Sequence, residues 1–479
     1  MYFKNFENIG VIFGFLLMFQ GLSFLLCVLV SFIYQESMIP FMLPGLFFLV
    51  AGVLMSRFPV LRNQMNGNIP KIFAGILLAW FFLILSGTVP YLVSNTIPSF
   101  VNAVYESASG FTTTGSTVLE DVECLPKSIL FWRSLTHWSG GLVSLFMLNF
   151  VLPAANIGGD KIFCAESLQL GRKPRHFSYI LNQIILVYLG LTILQTFMLS
   201  LGEINLFNSM CYSFGAVSTG SFSPLKRSVQ DCSAYVQYVM MFFMFLSGIG
   251  YFLYRFLMTG RLNILKRHEE VRVYVFVSAV VTLIISGLLY FETKSSFEPA
   301  VRHGAFQVIS FITTSGYSTV DYLSWPGTAL FFLSLGLVIG GCSGSATGGV
   351  KMSRFLIFLR NSRMAFKNLV DQGSAKQECE VRYNRKNITY QVNQSVLTYM
   401  ILLAMITLAG IVLFSLIGVE MKKSAFLVIS ALTTFGHDLS VNQLPEMGRV
   451  ILIVLMLAGR VGVYPLVAMF VWPFYTNDR

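Results

Sequence analysis

Charge is scarce in this sequence. Lys, Arg, Asp and Glu make up 11% of its 479 residues, against 55% hydrophobic residues and a mean hydropathy of +0.69. A water-soluble domain carries about 25% charged residues, so a soluble fold is excluded. Catalytic patterns are missing as well. The five histidines (His137, His176, His268, His303 and His437) form no ligand pair at metal spacing and no H-E-x-x-H motif. No carboxylate pair, nucleophile elbow or Walker loop occurs either, so neither enzyme chemistry nor a bound cofactor is expected in this chain. The seven cysteines (Cys27, Cys124, Cys164, Cys211, Cys232, Cys342 and Cys379) contain no C-x-x-C pair and mostly lie in or beside apolar runs. They read as small core residues, not as metal ligands or disulfides.

Long apolar runs are what the sequence has instead. A helix crosses hydrocarbon in about 20 residues. Runs near that length cover 9–34, 39–55, 72–92, 129–151, 180–201, 235–257, 271–290, 396–417 and 450–472, with a tenth, interrupted one over 328–359. The first is too long for a signal-peptide core and lacks a small-residue cleavage site, so it is expected to be retained. The formal charge of +11 falls mainly in alternate loops, 57–71, 161–175, 255–272 and 351–386. That alternation is the positive-inside bias. It places those loops and the N-terminus in the cytoplasm, and it makes the charge a mark of topology, not of nucleic-acid binding.

Four short segments share one grammar: SASGFTTTGST (107–117), GAVSTGSFS (215–223), SFITTSGYST (310–319) and SALTTFGHDLS (430–440). In each, a Thr or Ser pair is followed within one or two residues by a glycine, at Gly115, Gly220, Gly316 and Gly436. Ahead of each lies an apolar stretch too short to span a bilayer, which fits a re-entrant half-helix. The expected fold is an all-α polytopic membrane protein of about ten transmembrane helices. Four tandem helix–pore-loop–helix repeats would surround one pseudo-fourfold pore. An N-terminal helix pair occupies 1–68. The repeats follow over 69–176, 177–268, 269–390 and 391–479, the third including a basic cytoplasmic linker.

Non-helical backbone at membrane depth survives only where protein buries it or where it lines a polar path. Four such turns converging on one axis would present stacked carbonyls that replace a cation's hydration shell. Glycine is expected to take backbone angles that a Cβ disfavours. The C-terminal ends of the half-helices, partly negative, would point at the ion.

With these residues in view, the chain resembles the TrkH/KtrB superfamily of potassium transporters, and its TrkH branch in particular. The likeness runs over nearly the full length. It is closest at FWRSLTHWSGG (131–141), AFQVISFITTSGYST (305–319), IGGCSGSATGGVKMSR (339–354) and LMLAGR (455–460). The resemblance implies potassium uptake through a selectivity filter lined by Thr113, Thr114 and Gly115; Ser218, Thr219 and Gly220; Thr314, Ser315 and Gly316; and Thr434, Phe435 and Gly436. The ion would meet Thr113, Ser218, Thr314 and Thr434. It further implies a homodimer in the lipid of the bacterial inner membrane, working with a cytosolic nucleotide-binding subunit of the TrkA type. The sequence departs from the family's pattern at His437 and Asp438, at Gly462 after Arg460, and at Cys164 before Glu166. The first of these bears on ion selectivity and on the outer mouth.

Two features suggest control of the path. The stretch 340–349 (GGCSGSATGG) interrupts an apolar segment with small residues, including Gly340, Gly341, Gly344, Gly348 and Gly349. Each glycine costs a helix about 1 kcal/mol relative to alanine, so a flexible intramembrane loop is expected, with Lys351 beside it. The resemblance makes this loop an obstruction under the filter. Arg460 has apolar residues on both sides, and an intramembrane charge marks a functional site by default. It would act as a cationic barrier or as a cap on carbonyls. Glu106, Asp121, Asp321 and Asp438 fall near the expected outer mouth, where they could gather cations or simply be solvated. A carrier built on inverted repeats fits less well, because the basic loops give all four repeats one orientation. Potassium against sodium selectivity, and channel against H⁺- or Na⁺-coupled symport, stay open at this level.

Overall fold

Backbone polar groups in hydrocarbon have no water to bond, so long uncharged segments close their hydrogen bonds within helices. The computed structural model describes residues 9–57, 69–147, 177–292, 296–370, 381–384, 386–388, 390–436 and 441–467. The His437 and Asp438 departure, Cys164, Cys379 and His176 lie outside the described residues.

The chain opens with α1 (Ile9–Ile33) and α2 (Ile39–Arg57), which pack against each other as a pair. Then follow α3 (Ile69–Val93), the short α4 (Phe100–Phe111) and α5 (Lys127–Phe146). The next group is α6 (Phe177–Ser200), the short α7 (Leu206–Ser218), α8 (Ala234–Ser247), α9 (Tyr254–Met258) and α10 (Leu262–Arg267). A third comprises α11 (Glu269–Glu292), the short α12 (Phe297–Ile312), α13 (Gly327–Ile339) and α14 (Met352–Val370). A two-stranded hairpin, β1 (Arg382–Tyr383) and β2 (Lys386–Asn387), leads to α15 (Tyr390–Leu416), the short α16 (Met421–Thr433) and α17 (Glu446–Val461).

Among the described residues six helices, α1, α2, α3, α6, α11 and α15, are long and apolar enough to cross a membrane, and the bent pair α8–α9 would make a seventh. Their outward faces are apolar. On α15, Ile401, Met405, Leu408 and Val412 are each more than half exposed and fall on one helical face. Polar side chains go inward instead, where Thr112, Thr113, Ser213, Ser218, Ser310 and Thr434 are fully buried. A protein folded in water shows the opposite arrangement.

The apolar run 235–257 is not one helix. It ends at Ser247 and resumes at Tyr254, bent by 88°. The Gly248 carbonyl and the Tyr251 amide, released at this break, bond to Cys342 N–H (2.9 Å) and Gly344 O (3.0 Å) in the 340–351 segment. Tertiary partners therefore stabilise a break that hydropathy does not reveal. At the other end of the molecule, Glu36 in the α1–α2 turn caps α5 by accepting the amide hydrogens of Lys127 (2.6 Å) and Ser128 (2.9 Å).

Candidate functional site

Each short helix, α4, α7, α12 and α16, ends in the same way. The next left-handed residue is a threonine: Thr113 (φ 56°), Thr219 (59°), Thr314 (54°) and Thr434 (53°). Its amide bonds to the carbonyl three residues back, and the amide after it to the carbonyl five back, as in Thr114 to Ser109, Gly220 to Gly215, Ser315 to Ser310 and Phe435 to Ser430 (2.8–2.9 Å). This is a Schellman closure with threonine in the place glycine normally takes. A β-branched residue at positive φ is an outlier that costs on the order of 1–3 kcal/mol and persists where the surroundings impose it. Here four occupy equivalent positions.

The expectation that glycine takes the unusual angles is therefore corrected: a threonine takes them at each of the four turns. Gly115 and Gly316 do adopt positive φ, but Gly220 and Gly436 do not. These two are required by close approach. A Cβ on Gly220 would lie 2.6 Å from the His137 ring, and one on Gly436 would overlap the Thr114 carbonyl oxygen.

The second segment also moves by one residue. Ser218 is the last residue of α7, and its hydroxyl bonds back to Phe214 O (2.7 Å) and Gly215 O (3.1 Å). Thr219 takes the position that Ser218 was expected to hold. Two residues beyond each left-handed threonine stand Gly115, Ser221, Gly316 and Gly436, so one of the four is a serine. The Ser221 hydroxyl lies 3.1 Å from Thr114 O and 2.7 Å from Gly436 O. A Cβ on Gly316 would meet Ser221 Cβ at 2.7 Å and Gly436 O at 2.9 Å. The four segments thus come together at one place.

The threonine hydroxyls are buried there. Those of Thr113, Thr219 and Thr434 have no hydrogen-bond partner among the described residues, and that of Thr314 accepts the Gly348 amide hydrogen at 2.8 Å. Buried hydroxyl oxygens without partners suit a desolvated cation.

The loop 340–351 lies directly against this cluster. It is non-helical and has three left-handed glycines (Gly340, Gly344 and Gly349), with Lys351 at φ 79°. It is also closely bonded, where a flexible loop was expected. Val350 N–H donates to Val338 O (3.1 Å) and Met352 N–H to Gly341 O (3.0 Å), closing its base. Lys351, buried, turns its ammonium back onto Thr347 Oγ1 (2.9 Å) and the Thr347 and Ser345 carbonyls. Arg460 Nη1 donates to Ala346 O at 2.6 Å, while its Nε and Nη2 are buried without partners among the described residues. The helix carrying Arg460 ends one residue later, before Gly462 at φ 97°. A cavity of about 50 Å³ beside Gly348 is lined by Thr347, Lys351, Arg354 and Arg460.

Two residues escaped the sequence reading. His137, on α5, holds Gly110 O at 2.7 Å through Nδ1 and accepts the Phe222 amide hydrogen at Nε2 (3.0 Å), bracing the first two segments together. Glu106, expected at a mouth, is wholly buried in an ion pair with Arg133 (2.8 Å). It also accepts from Thr117 Oγ1 (2.9 Å) and Val118 N–H (3.1 Å), so it holds the outgoing strand of the first segment. Asp121 and Asp321 are ordinary loop residues that bond local amides.

Known proteins are similar to this chain over nearly its whole length. An uncharacterized cation transporter of Methanocaldococcus jannaschii is 28% identical over 99% of this chain and 98% of its own. The Trk system potassium uptake protein TrkG of Escherichia coli is 26% identical, over 95% and 96%. The corresponding TrkH protein of Halomonas elongata is 27% identical, over 97% and 98%. The crystal structure of the potassium transporter TrkH from Vibrio parahaemolyticus superposes with a TM-score of 0.87 at 24% identity, covering 98% of both chains. Residues 41–474 match the family model described as TrkH, cation transport protein. The chain belongs to the TrkH family of cation transport proteins.

Proposed function

We propose that this chain takes up potassium ions through one pore per chain, formed where its four tandem repeats meet, and performs no enzymatic reaction. The observation that supports this best is the set of four left-handed threonines, three with buried hydroxyls that have no partner among the described residues. Carbonyls and hydroxyls at such turns can replace the water of a monovalent cation. The relatives named for potassium uptake supply the identity of the ion. In this reading the 340–351 loop obstructs the path below the threonines, and Arg460 and Lys351 hold it there. The path opens when a cytosolic nucleotide-binding subunit of the TrkA type displaces the loop. The protein sits as a homodimer in the inner membrane, and the basic loops support a cytoplasmic N-terminus.

A second reading is a pore with weak preference between K⁺ and Na⁺. Ser221 favours it, since its side chain intrudes where the other three segments present glycine. The test is flux of K⁺, Rb⁺ and Na⁺ in liposomes holding the purified protein, with and without the nucleotide-binding subunit. Faster K⁺ and Rb⁺ than Na⁺ is expected, increased by the subunit. Equal K⁺ and Na⁺ fluxes would establish the second reading, and no cation flux in either condition would rule out the pore.

A further inference from the structure

Glu270 lies in the first turn of α11 and is fully buried. Its Oε1 accepts the amide hydrogens of Ser343 (2.7 Å) and Ser353 (3.0 Å), and its Oε2 accepts the Tyr383 hydroxyl (3.2 Å). Ser343 is on the incoming limb of the 340–351 loop, and Ser353 is in the first turn of α14, which leaves it. Their two hydroxyls also bond each other. Tyr383 belongs to β1, in the basic linker that charge places on the cytoplasmic side. A single carboxylate therefore joins both stems of the loop to the hairpin.

The neighbouring residue grips the same hairpin. Glu269 accepts the Asn384 amide hydrogen (3.1 Å), donates its own to Asn384 Oδ1 (2.9 Å), and pairs with Arg360, whose guanidinium also reaches the Arg382 carbonyl. The hairpin is thus fastened at its turn by Glu269 and at its inward face by Glu270. A buried carboxylate holds its donors strongly, because leaving one of its lone pairs unmatched in a low-dielectric site is costly. Movement of Tyr383 must shift Glu270, and Glu270 cannot shift without disturbing the amides of Ser343 and Ser353.

We propose that Glu270 is a positioning residue that couples the hairpin to the loop, so that displacing the hairpin loosens the loop beneath the threonine turns. The consequence for transport rests on the reading of that loop as the obstruction in the pore.

Tyr383→Phe tests the coupling with least risk to folding, since it removes one hydroxyl and leaves every bond of Glu270 to the loop in place. Amide hydrogen exchange is followed in the full-length protein in lipid nanodiscs. Exchange over 340–353 is expected to rise about tenfold, the lower end of the scale of one hydrogen bond to a charged group, and Glu270→Gln is expected to raise it as well. A rise confined to 381–388 would mean a purely local role and would overturn the coupling, as would no change in either variant. Cation leak in liposomes is read separately. Raised loop exchange without raised leak would uphold the coupling and remove the loop's role as the obstruction.

Discussion

Arg460 and Ala346, 114 residues apart in sequence, are joined by a 2.6 Å hydrogen bond from Nη1 to the carbonyl oxygen. The bond fastens the end of α17 to the tip of the loop under the threonine cluster. Arg460 therefore caps a carbonyl and also holds positive charge against the loop. A hydrogen bond from a charged group contributes about 1.5–3 kcal/mol, which corresponds to roughly ten- to hundredfold in the population of the docked loop. Arg460→Ala is expected to raise cation leak in liposomes at least tenfold. Arg460→Gln separates the two roles, because it keeps a donor and removes the charge. Leak close to the parent's would assign Arg460 to holding the loop; leak like that of the alanine variant would assign it to the charge barrier. No increase in Arg460→Ala would refute both.

Ser221 offers a test of selectivity. Its hydroxyl sits between two backbone carbonyls, Thr114 O and Gly436 O, that would otherwise face the ion. Ser221→Gly makes all four segments alike and releases both oxygens. The hydroxyl has one hydrogen to donate, so one neutral hydrogen bond of about 1 kcal/mol is removed, and the ratio of K⁺ to Na⁺ permeability is expected to rise about fivefold. Reversal potentials under bi-ionic conditions measure it. An unchanged ratio would show that Ser221 does not limit discrimination.

The long apolar runs were legible because hydrocarbon imposes a simple rule on length and composition, and α1, α2, α3, α6, α11 and α15 fall where the runs lie. The break at Gly248 was not, since its carbonyl and the Tyr251 amide find partners about 95 residues away in the loop. The centres of the four turns could be located from their glycines, but one register came out a residue early. In STGS, Gly220 comes directly after the left-handed threonine, whereas elsewhere glycine comes two residues after it. A better guide was present in the sequence. A small residue, Ser109, Gly215, Ser310 or Ser430, stands four positions before each left-handed threonine and supplies the carbonyl that closes the turn. Glu106 was illegible for a different reason. Its partner Arg133 lies 27 residues on, in another helix, and nothing local separates a buried strut from a carboxylate at a mouth.

That strut yields a third prediction. Glu106 and Arg133 are both nearly inaccessible. Removing one member of a buried pair leaves the other uncompensated, at about 3–5 kcal/mol. Glu106→Ala is expected to lower the melting temperature in detergent and to abolish flux, because Thr117 and Val118 lose their anchor. Glu106→Gln keeps an acceptor and should lose less. A melting temperature unchanged in Glu106→Ala would mean that the ion pair contributes nothing net to this part of the fold.

Gly348 is where the loop meets the threonine cluster most closely. Its amide hydrogen bonds to Thr314 Oγ1 at 2.8 Å, and a Cβ added there would overlap both the Thr433 carbonyl oxygen and the Thr434 hydroxyl. The obstacle on one side is backbone, which cannot rotate away, so Gly348→Ala must push the loop off the cluster. Losing that contact frees Thr314 Oγ1 to join the unpartnered hydroxyls of Thr113, Thr219 and Thr434. Subunit-independent K⁺ flux should therefore rise severalfold in Gly348→Ala, with little change in the preference among cations, since no carbonyl of the four segments is altered. Gly344→Ala makes a useful contrast. Gly344 sits at φ 74°, which glycine adopts freely and alanine only with strain, so the substitution should disturb the loop through its own backbone. If Gly348→Ala leaves flux at the parent level while Gly344→Ala raises it, the contact at Gly348 is not what holds the path closed.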